Sequence, residues 1–206
     1  MPINLNTTLV AIAAAFAGTG IAYADMPQMG GPMKHIMVSL DGDMLMAHVD
    51  PSVPTPVLMD YGHEYDGDAS VLNGTMYNAQ YGWMVEGFWA PPSGSSIWIE
   101  QTSATPGLLA YSGGTMMDQG SFDPIFGTDG SSPRIEWDGT MLHNWYAVTA
   151  PGEYLASYAV YFGDDLGNPI PGFEPAQVTL QWNAVPTPAS AALLGLAGCI
   201  GIRRRR

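Results

Sequence analysis

The sequence predicts an all-β protein, in the form of an antiparallel β-sandwich or jelly roll. Its 25 glycines and 17 prolines are spread along the chain, and its central part shows no apolar stripe with the 3.6-residue period of a helix. Instead, short segments of alternating or largely apolar residues are separated by turn-forming residues. This pattern is typical of roughly seven to ten short strands packed in two layers.

The first element is a hairpin formed by residues 35–40 and 44–49. Asp41-Gly42 stands between them, and Asp-Gly is a strong signal for a two-residue turn because such a turn requires positive φ. A turn centred on these two residues fixes the register of the hairpin. It places His35 directly opposite His48, with their Cβ atoms about 5 Å apart.

The other predicted elements are a second hairpin and four separate strands. Residues 134–137 and 140–145 flank Asp138-Gly139 and predict a second hairpin. Four further segments predict strands, namely residues 81–89, 96–101, 153–162 and 177–184. Residues 153–162 are largely apolar at both alternating sets of positions, which favours a central strand covered on both faces. Residues 177–184 alternate strictly and favour a strand with one face in water.

The two ends of the chain differ from this β-rich body. Residues 9–16 (LVAIAAAF) form an apolar segment, and Ala22-Tyr23-Ala24 is a small-x-small cleavage site. We therefore expect a secretory signal peptide over residues 1–24, recognised by the Sec translocon, and a mature chain that starts near Asp25. The segment before residue 9 departs from the usual pattern because it contains no Lys or Arg.

The other end combines prolines, a short apolar run and a block of arginines. Residues 189–202 carry no charged side chain and would span roughly 21 Å as a helix, whereas a bilayer core of about 30 Å requires about 20 residues. Such a helix anchors weakly, and Arg203–Arg206 would hold its end on the cytoplasmic side. Pro186 and Pro188 keep the preceding peptide extended and accessible to a protease.

These residues match a known sorting signal. The tail has three parts in order: Val185-Pro186-Thr187-Pro188, the apolar run with Leu193-Leu194-Gly195-Leu196, and the closing Arg203, Arg204, Arg205 and Arg206. Together they resemble the PEP-CTERM signal, with threonine where that name has glutamate. The resemblance implies recognition by an exosortase in the inner membrane, cleavage near Pro186 to Pro188, and release or attachment at the cell surface. The expected organisation is a signal peptide (1–24), a β-sandwich domain (25–184) and a sorting tail (185–206).

Charge and cysteine content exclude several classes of protein. Lys34 and Arg134 are the only basic residues outside Arg203–Arg206 and all 19 acidic residues lie in the body, so the formal charge of the body is −17. Such a surface does not bind nucleic acid, because it cannot neutralise phosphates. The single Cys199 lies in the tail, so the body contains no disulfide.

The histidines and acidic loops are candidate ligands for a metal ion. His35 and His48, if paired across the hairpin, are candidate ligands for a transition metal, with Asp50 or Asp60 as a carboxylate ligand. The alternative is an ordinary polar pair on an exposed strand face. Acidic loops such as residues 60–68 suggest loose Ca²⁺ binding or, alternatively, simple turn chemistry. We expect no dedicated cofactor.

The aromatic residues leave two interpretations open. Trp89 and Trp98 are candidates for stacking on a sugar such as an exopolysaccharide, but large aromatic residues are also the usual core filler of a sandwich without disulfides. The chain contains no catalytic motif, so we expect it not to be an enzyme.

The body is also similar to bacterial surface-anchored domains. Their pattern is His-x-His-x-Asn-Trp and then Pro-Gly-x-Tyr. It is similar to Leu142-His143-Asn144-Trp145-Tyr146 followed by Pro151-Gly152-Glu153-Tyr154, with Met141 in place of the first His and a compressed spacing. This resemblance implies a β-sandwich surface domain. The sequence as a whole predicts an exported surface or matrix protein with a structural or adhesive role, or alternatively a carbohydrate-binding or divalent-metal-binding module.

Overall fold

The computed structural model describes residues 22–23, 26–114 and 118–186 of the chain. Most of the predicted signal peptide, including Ala24, lies outside these residues, and so does Asp25. The same is true of Thr187, Pro188, the apolar run and Arg203–Arg206. Those predictions therefore remain predictions.

The described residues form strands with short turns and two 3₁₀ helices, Gly67–Leu72 and Thr128–Gly130, so the predicted all-β class is confirmed. The strands are β1 Ala22–Tyr23, β2 Lys34–Asp41, β3 Met44–Val49, β4 Val57–Met59, β5 His63–Glu64, β6 Met76–Asn78, β7 Tyr81–Val85, β8 Ser96–Ala104, β9 Leu109–Gly114, β10 Pro124–Ile125, β11 Arg134–Trp137, β12 Leu142–Val148, β13 Gly152–Gly163 and β14 Ala176–Val185.

One large sheet contains all of these strands except β1 and β5, which pair with each other. The strand order is β11-β8-β13-β14-β4-β6-β12-β7-β2-β3, with β9 paired to β12 and β10 paired to β9. The sheet is mixed, whereas an antiparallel sandwich or jelly roll was predicted. β2 runs parallel to β7 and β4 runs parallel to β14, because long connections carry the chain back before the second strand of each pair begins.

The predicted hairpin of β2 and β3 is present, but its predicted register was wrong. Asp41 pairs with Met44, so the two turn residues are Gly42 and Asp43. Gly42 has a φ of +64° at the first central position, as a type II′ turn requires. This shift places Met37, rather than His35, opposite His48.

The second predicted hairpin does not form, although both of its strands exist. β11 pairs with β8, whereas β12 pairs with β6, β7 and β9. Asp138 does make a turn, in which its Oδ1 accepts hydrogen bonds from the backbone N–H (2.8 Å) and hydroxyl (2.7 Å) of Thr140. Trp137 is buried, and its Nε1 donates to the Thr140 carbonyl (2.7 Å), which closes this turn. β12 then pairs with other strands than β11.

The longest strands agree with their predictions. β13 lies between β8 and β14 and is therefore central, as its two apolar sets predicted. Along β14, buried and less buried residues alternate strictly, as predicted for a strand with one face in water.

Two hydrophobic cores lie on opposite faces of the sheet at β12. Tyr146 and Val148 belong to the main core, whereas Trp145 and Ala147 belong to a second core, because successive side chains of a strand point to opposite faces. The largest fully buried members of the main core are Trp83, Trp182, Tyr146, Tyr158 and Phe162. The second core consists of Tyr65, Leu72, Tyr77, Ala79, Tyr111, Phe122, Trp145 and Ala147.

The chain that precedes β2 lies against this second core. The carbonyl of Met29 accepts a hydrogen bond from Ala79 N (2.9 Å), and the carbonyl of Pro27 accepts one from Gln119 Nε2 (3.1 Å). Gly30 packs so closely on Asn78 that a Cβ on this glycine would lie 2.7 Å from the Asn78 Cβ. We call residues 26–33 the N-terminal strap.

Candidate functional site

Three strands place two histidines on either side of a glycine. In the β2–β7 pair His35 lies opposite Gly82, and in the β7–β12 pair Gly82 lies opposite His143. The neighbours Ile36 and Trp83 belong to the main core, so His35 and Gly82 face the other side of the sheet. His143 follows Leu142, which packs on the main core. His143 therefore faces the same side of the sheet as His35 and Gly82, opposite the main core.

The His143 side chain is held firmly at the edge of the second core. It is only 3% exposed, and its Nδ1 lies 2.9 Å from the carbonyl oxygen of Ala79. Because a carbonyl only accepts, Nδ1 carries the proton in this hydrogen bond, and Nε2 is left with its lone pair. Nε2 is buried and has no hydrogen-bond partner in the structure.

The imidazole of His143 extends over Gly82. A Cβ built on Gly82 would lie 2.5 Å from Cε1 and 2.7 Å from Nε2 of this ring. His35 approaches the same glycine from the opposite strand, and its Nε2 is likewise buried without a hydrogen-bond partner. The absence of a side chain on Gly82 therefore leaves room for the His143 imidazole, with His35 on the neighbouring strand.

The electrostatics keep His143 neutral. Burial is the main cause that lowers the pKa of His143, and the nearby His35 lowers this pKa further. The hydrogen bond to the Ala79 carbonyl and the nearby polar backbone of Tyr81 act in the opposite direction without reversing the shift. A neutral imidazole with a free Nε2 is the form that binds metal ions.

The predicted pairing of His35 with His48 was wrong, because the hairpin register differs. His48 is exposed on β3 and its Nδ1 lies 4.0 Å from a carboxylate oxygen of Glu86. His143, the partner that the structure gives to His35, is 108 positions away in the sequence and was not considered as its partner. A glycine in an otherwise apolar strand, Gly82, was the signal that marks such a close approach.

The predicted carboxylate ligands are engaged in turns. Asp50 Oδ1 accepts a hydrogen bond from Ser52 N (2.8 Å), and hydrogen bonds from Ser52 are the largest causes that lower the pKa of Asp50. Asp60 Oδ1 accepts one from Gly62 N (2.8 Å). Within residues 22–23, 26–114 and 118–186, no group of three or more His, Cys, Asp or Glu residues is placed to hold a metal ion.

Trp89 and Trp98 do not form a shared stacking surface. Trp89 packs edge-on against Phe162 of the main core with ring centroids 5.8 Å apart. Trp98 alternates with the core residues Ile97 and Ile99 along β8, so it lies on the opposite face of the sheet. Carbohydrate binding by these two residues stays a prediction. The core role is confirmed for the four buried tryptophans, Trp83, Trp137, Trp145 and Trp182.

Both basic residues of the body bind backbone carbonyl groups. Lys34 is buried, and its ammonium group donates to the carbonyls of Asp50 (2.8 Å) and Val53. The guanidinium of Arg134 donates to the carbonyl of Gly167. These two cations therefore fasten loops to the sheet.

The described fold ends where the predicted sorting signal begins. Val185 is the last residue of β14, and Pro186 follows it outside the strand. At the other end, the backbone of Ala22–Tyr23 pairs with His63–Glu64. Among the residues that the structure describes, no helix has the length and apolar character needed to cross a bilayer.

No family model matches the chain, and no curated protein is significantly similar to it.

Proposed function

We propose that the chain is an exported protein of the cell surface or extracellular matrix, processed by an exosortase and structural or adhesive in role. Its path would begin at the Sec translocon and include a transient stay in the inner membrane on the tail helix. Its final partner would be the surface polymer, such as an exopolysaccharide. The proposal rests on the two terminal sequence segments together with the β-rich body between them.

The end of β14 is the structural observation that carries this proposal. β14 pairs with β13 up to Ala184 and with β4 up to Val185, which lies opposite Met59. A cut after Val185 would therefore remove no described strand. The two prolines that follow prevent the strand from continuing, because proline cannot donate to the ladder, and they leave a peptide that a protease can bind.

The body suits a passive surface role. We propose that its mixed sheet folds over the main core as a sandwich or jelly roll. The support is a hydrogen bond from the Leu45 N–H to the Glu174 carbonyl (3.0 Å). This bond connects the β2–β3 hairpin, at one end of the strand order, with the segment that precedes β14. The excess of acidic residues favours a hydrated surface that repels other acidic surfaces.

The proposal is tested by following the chain in a bacterium that contains an exosortase and in the same strain without it. We expect a shortened protein at the cell surface in the first strain and a longer, membrane-retained protein in the second. A variant with Pro186→Ala and Pro188→Ala should be processed poorly, whereas the control Pro171→Ala, in an exposed turn, should be processed normally. Equal size and location in both strains would contradict the proposal.

A further inference from the structure

We propose that His35 and His143 bind one first-row transition-metal ion, with Cu²⁺ the tightest, through their Nε2 atoms above Gly82. This site lies where β2, β7 and β12 are adjacent, on the face of the sheet opposite the main core. The inference goes beyond the proposed function and does not depend on export or processing.

The first support is the state of the two ring nitrogens. Both Nε2 atoms are buried without a hydrogen-bond partner, and leaving such an atom without a partner costs free energy. His143 is 3% exposed, so water has little access to its ring. A metal ion would satisfy both nitrogens at once, since each has a lone pair when its Nδ1 carries the proton.

The second support is the way His143 is oriented. Metal-binding histidines usually donate their other ring N–H to a carbonyl or carboxylate, which fixes both the tautomer and the ring orientation. The 2.9 Å contact between His143 Nδ1 and the Ala79 carbonyl provides this second hydrogen bond. The ring is therefore preorganised with Nε2 directed over Gly82, and burial favours its neutral form.

The third support is the spacing of the strands. His35 and His143 lie on the two strands that flank β7, which are about 9–10 Å apart, and the His143 ring extends over Gly82 between them. One ion bound by both rings at about 2.0–2.1 Å requires the two Nε2 atoms to lie within about 4 Å of each other. A Cβ on Gly82 would lie 2.7 Å from His143 Nε2 and would obstruct the same space.

The donor set determines which ions bind. Imidazole suits copper, zinc and nickel, whereas Ca²⁺ requires oxygen ligands. Cu²⁺ binds nitrogen ligands most tightly among the divalent first-row ions. Two protein ligands leave the other coordination positions to solvent, which would reach the site from the side of the half-buried His35.

The test is a titration of the purified full chain in detergent with Cu²⁺, followed by calorimetry and by electron paramagnetic resonance, which reports nitrogen ligands. We expect one Cu²⁺ per chain with nitrogen coordination, and no heat with Ca²⁺. The affinity should fall by at least about tenfold in His35→Ala and in His143→Gln, since each removes one of two ligands. Gly82→Ala should weaken binding without removing a ligand.

His48→Ala is the matched control, because His48 is an exposed histidine on the same face of the sheet. Its affinity should match that of the original chain. No stoichiometric binding by the original chain, or an equal loss in His48→Ala and His35→Ala, would overturn the proposal. If His143→Gln does not fold, His35→Ala decides the matter, because His35 is only half-buried.

Discussion

The imidazole of His143 occupies the position that a Cβ on Gly82 would need. The contact distances of 2.5 Å and 2.7 Å are shorter than Cβ atoms show in proteins, so a side chain at residue 82 and the observed ring orientation exclude each other. Gly82 is buried as the second residue of β7, and glycine is otherwise unfavourable within a strand. The glycine is therefore required by a contact between sequence-distant strands.

Gly82→Ala should destabilise the fold by about 1–3 kcal/mol, because the added methyl group forces the buried ring from its place. Chemical denaturation measures this loss. The control is the double variant Gly82→Ala with His143→Ala, in which the clash is absent, so the effect of the alanine at residue 82 should be much smaller there. Equal effects in both backgrounds would show that the clash is not the cause.

The N-terminal strap should contribute to stability through Gly30. Gly30→Ala would place a methyl group 2.7 Å from the Asn78 Cβ and force the strap off the sheet, at a cost of about 1–3 kcal/mol. Gly62→Ala is the matched control, because Gly62 also has positive φ (+67°) but no atom within 4 Å of the added group. Thermal unfolding of both variants should show a clearly larger loss for Gly30→Ala, and equal losses would mean that the strap does not pack as described.

Asp138 should contribute stability at neutral pH that disappears in acid. Hydrogen bonds from Thr140 are the main cause that lowers the pKa of Asp138 below its ordinary value of 3.8. A carboxyl group whose pKa is lower in the folded state stabilises the fold above its unfolded pKa, and this stabilisation is lost as the pH falls through the folded pKa.

Asp138→Ala should therefore cost at most about 1 kcal/mol at pH 7, because the group is largely exposed and water screens it. The difference in unfolding free energy between the original chain and the variant should shrink as the pH falls below about 3.8. Urea unfolding between pH 7 and pH 2.5 measures it. A difference that stays constant over this range would be inconsistent with the hydrogen-bonded carboxylate.

The acidic surface should make the protein more stable in salt. With a formal charge of −17 on the body, repulsion between carboxylates opposes the compact state. Raising NaCl from about 0.01 M to about 0.15 M shortens the screening length from about 30 Å to about 8 Å. The melting temperature should rise over this range and then level off, and a decrease would indicate that attractive charge pairs dominate.

Local features of the fold were predictable from the sequence because local residues determine them. The two apolar sets of β13 indicated its central position, and the strict alternation of β14 indicated one solvated face. The Asp41-Gly42 signal predicted the hairpin but misplaced its turn by one residue, because Gly42, rather than Asp41, takes the first central position.

Pairing between distant strands was not predictable in this way. The parallel neighbours β2 and β7, and the three partners of β12, depend on contacts between residues far apart in the sequence and not on any turn sequence. The candidate metal site depends on both pairings, since they bring His35 and His143 to the same glycine. Sequence reasoning therefore selected His35 as a ligand but gave it the wrong partner, His48.

The most direct test of the export and processing that we propose is intact-mass spectrometry of the protein recovered from the surface of a producing cell. We expect a chain that begins near Asp25 and ends between Val185 and Pro188, with or without an attached group. A surface protein whose mass includes both residues 1–24 and Arg203–Arg206 would contradict the account.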